Sequence, residues 1–431
     1  MSDKNTTAKL REAPNHAGAP GVGLIDFSSL PAGTETRIVP IAAADGVASR
    51  GVLYTRGSEK TVVCLSHPRG DMSRHYAVPQ LVEAGYAAYI HQCRGLNNDV
   101  DCEHEKLLLD LAAGFSHLKT SLGFERLILV GNSGGGSLLC FYQQQASLSP
   151  PGRLRDTPGG EVCDLNLVEM PRADGIALMA VHPGAGVFMM DCIDPSIPDE
   201  GDPLSIDPSL DMYNPDNGFK VPPQESKYSQ EFLGRYKKAQ QERVARIDAR
   251  AKSWIADRIH YRQLMNHTSF KELPAAEQIR ITRRAVVAPY MVIYRTEANP
   301  AYCDLSLHAW RSTRKVGSLT GPRPDKFNYS EGGFARCITP RAWLSSWSGL
   351  STRAEINRTI KQISEPLLVV AFTADNGCFP DANKENFDAC PALDKVMVFA
   401  DCVHYGHPLE ERAKAVAFIV DWLRPRFPSA H

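Results

Sequence analysis

The sequence predicts an α/β protein: a mostly parallel sheet flanked by helices and interrupted by a large, partly helical insertion. Three observations carry this reading. Short apolar runs of strand type alternate with helical patterns from residue 36 to about 147, the alternation stops between 187 and 362, and it resumes from 366 onward. Strand, helix and strand in succession imply a parallel sheet with right-handed crossovers. The expected organisation is an N-terminal arm (1–34), a first core part (35–186), a cap or lid insertion (187–362) and a second core part (363–431).

Composition narrows the function class. Hydrophobic residues at 43% and charged residues at 23% are those of an ordinary globular chain, so 431 residues can bury a full core without staples. A formal net charge of −1 points away from nucleic acid and anionic membrane surfaces and toward a small-molecule substrate. The eleven cysteines show no Cys-x-x-Cys and no zinc-type cluster, so neither metal nor cofactor is expected. A polar N-terminus and the lack of any run of about 18 apolar residues favour the cytoplasm over secretion or membrane insertion.

In chain order, residues 1–34 are rich in Ala, Gly and Pro and form a loose arm. Residues 36–41 and 51–55 flank Ala44-Asp45-Gly46, a turn signal, and suggest an antiparallel hairpin at one sheet edge. The continuous apolar run 61–66 reads as a buried strand and ends in His67-Pro68-Arg69-Gly70. A helix over about 73–83 stops at Gly85, and a strand over 87–91 leads to the turn Cys93-Arg94-Gly95. A helix over about 103–122 sets Leu107, Leu108, Leu111, Phe115 and Leu118 on one face.

The most informative stretch follows. Leu127 to Val130 form a buried strand, Gly131-Asn132-Ser133-Gly134-Gly135 a sharp turn, and Leu138, Leu139, Phe141 and Tyr142 the apolar face of a helix. A serine at such an apex needs small neighbours, which Gly131 and Gly135 supply, and its hydroxyl then projects at a helix N-terminus above the sheet. Phosphate-binding readings fit poorly, because Ser133 stands where a dinucleotide fingerprint needs glycine and no Gly-Lys-Ser/Thr follows.

With this Gly-x-Ser-x-Gly elbow, the chain resembles the α/β-hydrolase superfamily over roughly residues 36–186 and 362–428. The resemblance implies an α/β-hydrolase fold, with Ser133 as nucleophile and an acid and a histidine following in the order Ser, Asp, His. The strand over 366–372 is followed by Asp375, and the strand over 395–400 by Asp401, His404 and His407. Asp375 is expected to be the triad acid, since it has its own strand end, and Asp401 is the rival. His404 is expected to be the base. Pro408 suits the first position of the closing helix, which would put His407 beside a helix N-terminus that disfavours an imidazolium.

The resemblance also implies an oxyanion hole made of two backbone N–H groups, here those of Gly134 and Arg69. Pro68, which has no N–H, stands where the family usually has glycine, so that donor falls to Arg69. The resulting expectation is a serine hydrolase that cleaves a carboxylic ester through an acyl-enzyme. Thioester hydrolysis, carbon–carbon cleavage next to a ketone, and a non-catalytic binding role are the alternatives.

Between these parts the regular pattern lapses. Residues 148–173 are loop-like, 175–181 form a strand ending in His182-Pro183-Gly184, and 193–225 are proline-rich. A helix over about 229–260 carries apolar residues at three- and four-residue spacing. Its many Lys and Arg are interleaved with Glu231, Glu242, Asp248 and Asp257, as on a solvated face, and the helix also suits a homodimer contact. Cap strands are expected over 286–294 and 315–319. A helix starting at Pro340 places Trp343 and Trp347 on one face, as core.

Overall fold

The computed structural model of the protein describes residues 30–429, except 99, 331 and 332. Most of the expected N-terminal arm therefore lies outside the described residues. The strands are β1 (Glu35–Ala42), β2 (Ala48–Thr55), β3 (Thr61–Ser66), β4 (Ala87–Gln92), β5 (Arg126–Asn132), β6 (Gly175–Met179), β7 (Met291–Val292), β8 (Cys337–Ile338), β9 (Leu367–Phe372) and β10 (Lys395–Ala400). Eight of them form one sheet in the order β1-β2-β4-β3-β5-β6-β9-β10. Only β2 runs against its neighbours, pairing antiparallel with both β1 and β4, while the remaining pairs are parallel. This is the mostly parallel, helix-flanked sheet that the sequence suggests.

Both faces of the sheet are covered, which explains why its central strands read as unbroken apolar runs. The principal helices are α1 (Val78–Glu83), α2 (His104–Thr120), α3 (Gly134–Ser147), α4 (Ala185–Cys192), α5 (Gln230–Asn266), α6 (Ala275–Val286), α7 (Pro380–Ala389) and α8 (Leu409–Leu423). Alternate strand residues divide between two cores. Val62, Cys64, Leu127 and Leu129 pack with Leu108, Leu111 and Phe115 of α2 and Leu138 of α3, whereas Val63, Leu65, Ile128 and Val130 pack with Leu81 of α1 and Ile419 of α8.

Several boundaries differ from expectation, each for a local reason. The helix expected from residue 73 begins at Val78, because Pro79 occupies its first turn and cannot sit deeper in a helix. Pro408 is the N-cap of α8 rather than its first residue. The apolar run over 286–294 is not a strand. Its first residue ends α6, Val287 is exposed, and only Met291–Val292 pairs, with Cys337–Ile338. Residues 315–319 carry only a bridge between Ser318 and Gly321.

Among the described residues the segment between β6 and β9 adds no strand to the main sheet, and it builds a core of its own. Phe232, Tyr236, Val244, Ile247 and Ala251 of α5 pack there with Met189, Tyr302, Trp343 and Trp347. Ser229 caps α5, its side chain accepting the Phe232 N–H at 3.1 Å. The interleaved charges are not all solvated. Asp248 is buried, accepting Trp343 Nε1–H at 2.7 Å and Ser351 Oγ–H at 2.5 Å, and Arg243 is buried against Glu200 at 2.7 Å. Beyond Ala251 the helix runs on to Asn266 and packs with α6 through Tyr261, Ile281 and Ala285.

Candidate active site

The site is built at the carboxyl end of β5. Ser133 stands between β5 and α3 with φ 52° and ψ −127°, a conformation L-residues rarely adopt and which costs on the order of 1–3 kcal/mol. Two glycines permit this turn. A Cβ on Gly131 would lie 2.5 Å from Gly136 Cα, and one on Gly135 would lie 2.2 Å from the Ser66 carbonyl oxygen. The residue before the serine is tied down as well, Asn132 Nδ2 donating to the Met179 carbonyl at 2.9 Å.

The structure brings Ser133, His404 and Asp375 into one relay. Ser133 Oγ is 3.0 Å from His404 Nε2, and His404 Nδ1 is 2.7 Å from Asp375 Oδ2. Asp375 is fully buried, and its other oxygen accepts the N–H groups of Gly377 at 2.8 Å and Cys378 at 2.9 Å. An ionised carboxylate only accepts, so His404 Nδ1 carries the proton and Nε2 is left to take the one on Ser133. The rivals lie elsewhere. Asp401 accepts the hydroxyls of Thr313 and Thr373, both at 2.6 Å, and His407 is exposed.

Gly134 is the first residue of α3, with its N–H next to the nucleophile. Arg69 departs from its expected role. Its backbone N–H points to His67 Nδ1 at 3.2 Å, sharing that acceptor with the Gly70 N–H at 2.8 Å. The Arg69 side chain instead reaches the segment between β6 and β9, with its guanidinium 4.7 Å from the ring centres of both Phe334 and Trp347. Trp347 is thus core, as expected, and also part of the wall above the site.

Three histidines that sequence reasoning did not assign to the site line a cavity of about 20 Å³ beside Gly134: His67, His104 and His182. All three are kept neutral. Burial is the main cause, holding His67 well below the ordinary imidazole range, His104 at about 4 and His182 at about 3, and the nearby Arg69 cation adds to each shift. A signal was present in the sequence: His67-Pro68 follows β3, His182-Pro183 follows β6, and these two strands flank β5.

Among the described residues one cluster has the side chains of a metal site, Asp375, Cys378 and His404, with ligand atoms within 4.8 Å of one another. It coincides with the acid–base pair. Burial raises the Cys378 thiol well above its ordinary range, so it is a poor source of thiolate. Among the described residues no helix is long and apolar enough to cross a membrane.

No family model and no curated protein matches the chain. Solved structures similar to it include the protein DcsB in complex with its substrate analogue, at 12% identity and a TM-score of 0.48 over 91% of this chain and 100% of that one. Another is the α/β hydrolase GrgF from Penicillium sp. sh18, at 10% identity and a TM-score of 0.47 over 91% of this chain and 99% of that one. An esterase of Pyrococcus furiosus is 12% identical, with a TM-score of 0.40 over 95% of this chain and 99% of that one.

Proposed function

We propose that this protein is a serine hydrolase that cleaves a carboxylic ester of a small organic substrate through an acyl-enzyme. The observation that carries the reading is the unbroken relay from Ser133 through His404 to Asp375, at 3.0 and 2.7 Å, on a strained strand-to-helix turn. His404 Nε2 takes the Ser133 proton as Oγ bonds to the carbonyl carbon, and the carbonyl π pair moves onto oxygen. Collapse of that oxyanion breaks the bond to the leaving alcohol, which receives the proton from His404. Water, deprotonated in its turn by His404, attacks the acyl-enzyme and restores Ser133.

A fluorophosphonate probe tests the nucleophile, and a panel of esters of increasing acyl length, run beside a thioester and a β-diketone, tests the substrate class. The expected result is stoichiometric labelling at Ser133, lost in Ser133→Ala, with the ester panel turned over fastest. A protein that neither labels nor hydrolyses any of these would be a non-catalytic member of the fold. Fastest turnover of the thioester or diketone would replace the ester reading.

A further inference from the structure

We propose that the imidazole N–H groups of His67 and His182, rather than the backbone N–H of Arg69, complete the oxyanion hole begun by the Gly134 N–H. The inference rests on the hydrolase reading and names two further catalytic residues for it.

Tautomer and direction follow from hydrogen bonds. His67 Nδ1 accepts the N–H groups of Arg69 at 3.2 Å and Gly70 at 2.8 Å, and His182 Nδ1 accepts the Gly184 N–H at 3.2 Å. A ring nitrogen that accepts cannot carry the proton of a neutral imidazole, so in both rings the N–H is at Nε2. Both Nε2 atoms converge on Gly134, the residue after the nucleophile: a Cβ on Gly134 would lie 3.0 Å from His67 Nε2 and 3.2 Å from His182 Nε2. Among the described residues neither Nε2 has a hydrogen-bond acceptor.

Both rings line a cavity with room for one oxygen. The cavity lined by His67, His182 and Gly134 measures about 20 Å³, and a cavity needs roughly 10–15 Å³ to admit one water oxygen. The topology explains the convergence, because β3 and β6 lie on either side of β5 and each delivers a His-Pro pair to the carboxyl edge. Two neutral rings fixed by backbone N–H groups are donors already oriented for the charge that develops, without the repulsion that two imidazolium ions would bring to His404. The same arrangement accounts for Gly134, where a larger residue would push into both rings.

The test compares His67→Ala, His67→Gln, His182→Ala and His182→Gln with the wild type on an activated acetate ester. It also measures binding of a trifluoromethyl ketone, which forms the tetrahedral adduct, against its methyl ketone isostere, which does not. Each alanine variant is expected to lose on the order of 10²-fold in kcat with KM changed less than about threefold. Trifluoromethyl ketone affinity should fall in step while methyl ketone affinity holds. Each glutamine variant, which keeps an N–H, should recover at least about tenfold, and the pH profile should keep its wild-type shape because the donors are already neutral. Should His67→Ala fail to fold, His67→Gln and the His182 pair still decide the matter. Turnover within threefold of wild type for both alanine variants, or a loss that falls on KM alone, would overturn the assignment and leave the hydrolase reading standing. A wild type that neither turns over nor labels at Ser133 would instead remove the hydrolase reading itself.

Discussion

Asp375 holds His404 with one carboxylate oxygen at 2.7 Å while its other oxygen is fixed by two backbone N–H groups, so the acid cannot rotate away from the imidazole. Asp375→Asn would put an amide where two N–H donors expect an acceptor, or turn an N–H toward His404 Nδ1 and force the wrong tautomer. Acylation should slow by roughly 10⁴-fold. Asp401→Asn keeps an oxygen that can accept from the Thr313 and Thr373 hydroxyls and should stay within about threefold of wild type. Pre-steady-state release of the leaving group measures both, and a reversed order of effects would make Asp401 the working acid.

Of the two histidines in the loop after β10, His404 and His407, it is His404 that reaches Ser133. His404→Ala should eliminate the acyl-enzyme burst, whereas His407→Ala, at an exposed position, should keep the burst amplitude within about twofold. Burst kinetics with a chromogenic ester provide the readout, and loss of the burst in His407→Ala alone would refute the relay.

The Phe334 ring lies against both the Arg69 guanidinium and Trp347, and the latter two line the cavity beside Gly134. Phe334→Leu should shift the ratio of kcat/KM between long and short acyl esters by about 1 kcal/mol, roughly fivefold, with a smaller effect on fluorophosphonate labelling. A uniform loss across all chain lengths would assign this ring to stability alone.

Glu105, buried in α2, accepts the Ser345 Oγ–H from the segment between β6 and β9 at 2.5 Å. Burial raises its carboxyl from 4.5 to about 7 against the opposing hydrogen bond from Ser345. A carboxyl raised in the folded state binds more protons folded than unfolded between those two values. Stability conferred by the protonated form is therefore complete below the unfolded value and lost as pH rises toward 7, by up to about 1.4 kcal/mol per pH unit. Glu105→Gln, which stays neutral and still accepts from Ser345, should melt higher than wild type at pH 8, and the gap should close toward pH 4.5. Thermal melts at both pH values decide this, and a gap that widens toward acid would contradict it.

What the sequence determined by itself is local. The elbow at Ser133 could be read because the strand, the glycines and the helix that create its strain lie within about twenty consecutive residues. The sheet strands could be read because burial on two faces leaves an unbroken apolar run. Asp375 and His404 could be named from chain order and strand ends, since those ends share one edge of a parallel sheet.

What only the tertiary structure decided is the set of contacts between groups far apart in the chain. The acceptor for the Arg69 N–H depends on which way the His67 ring turns, and no spacing encodes that. Asp248 reads as one more charge on a solvated helix, and its burial follows from Trp343 and Ser351, about a hundred residues on, arriving against it. Helix α6 escapes notice because it buries only Ile281 and Ala285, in a small cluster with Tyr261 of α5. His67 and His182 meet at Gly134 because β5 is inserted between their two strands, and strand order is settled by the packing of the whole sheet and not by any short stretch of chain.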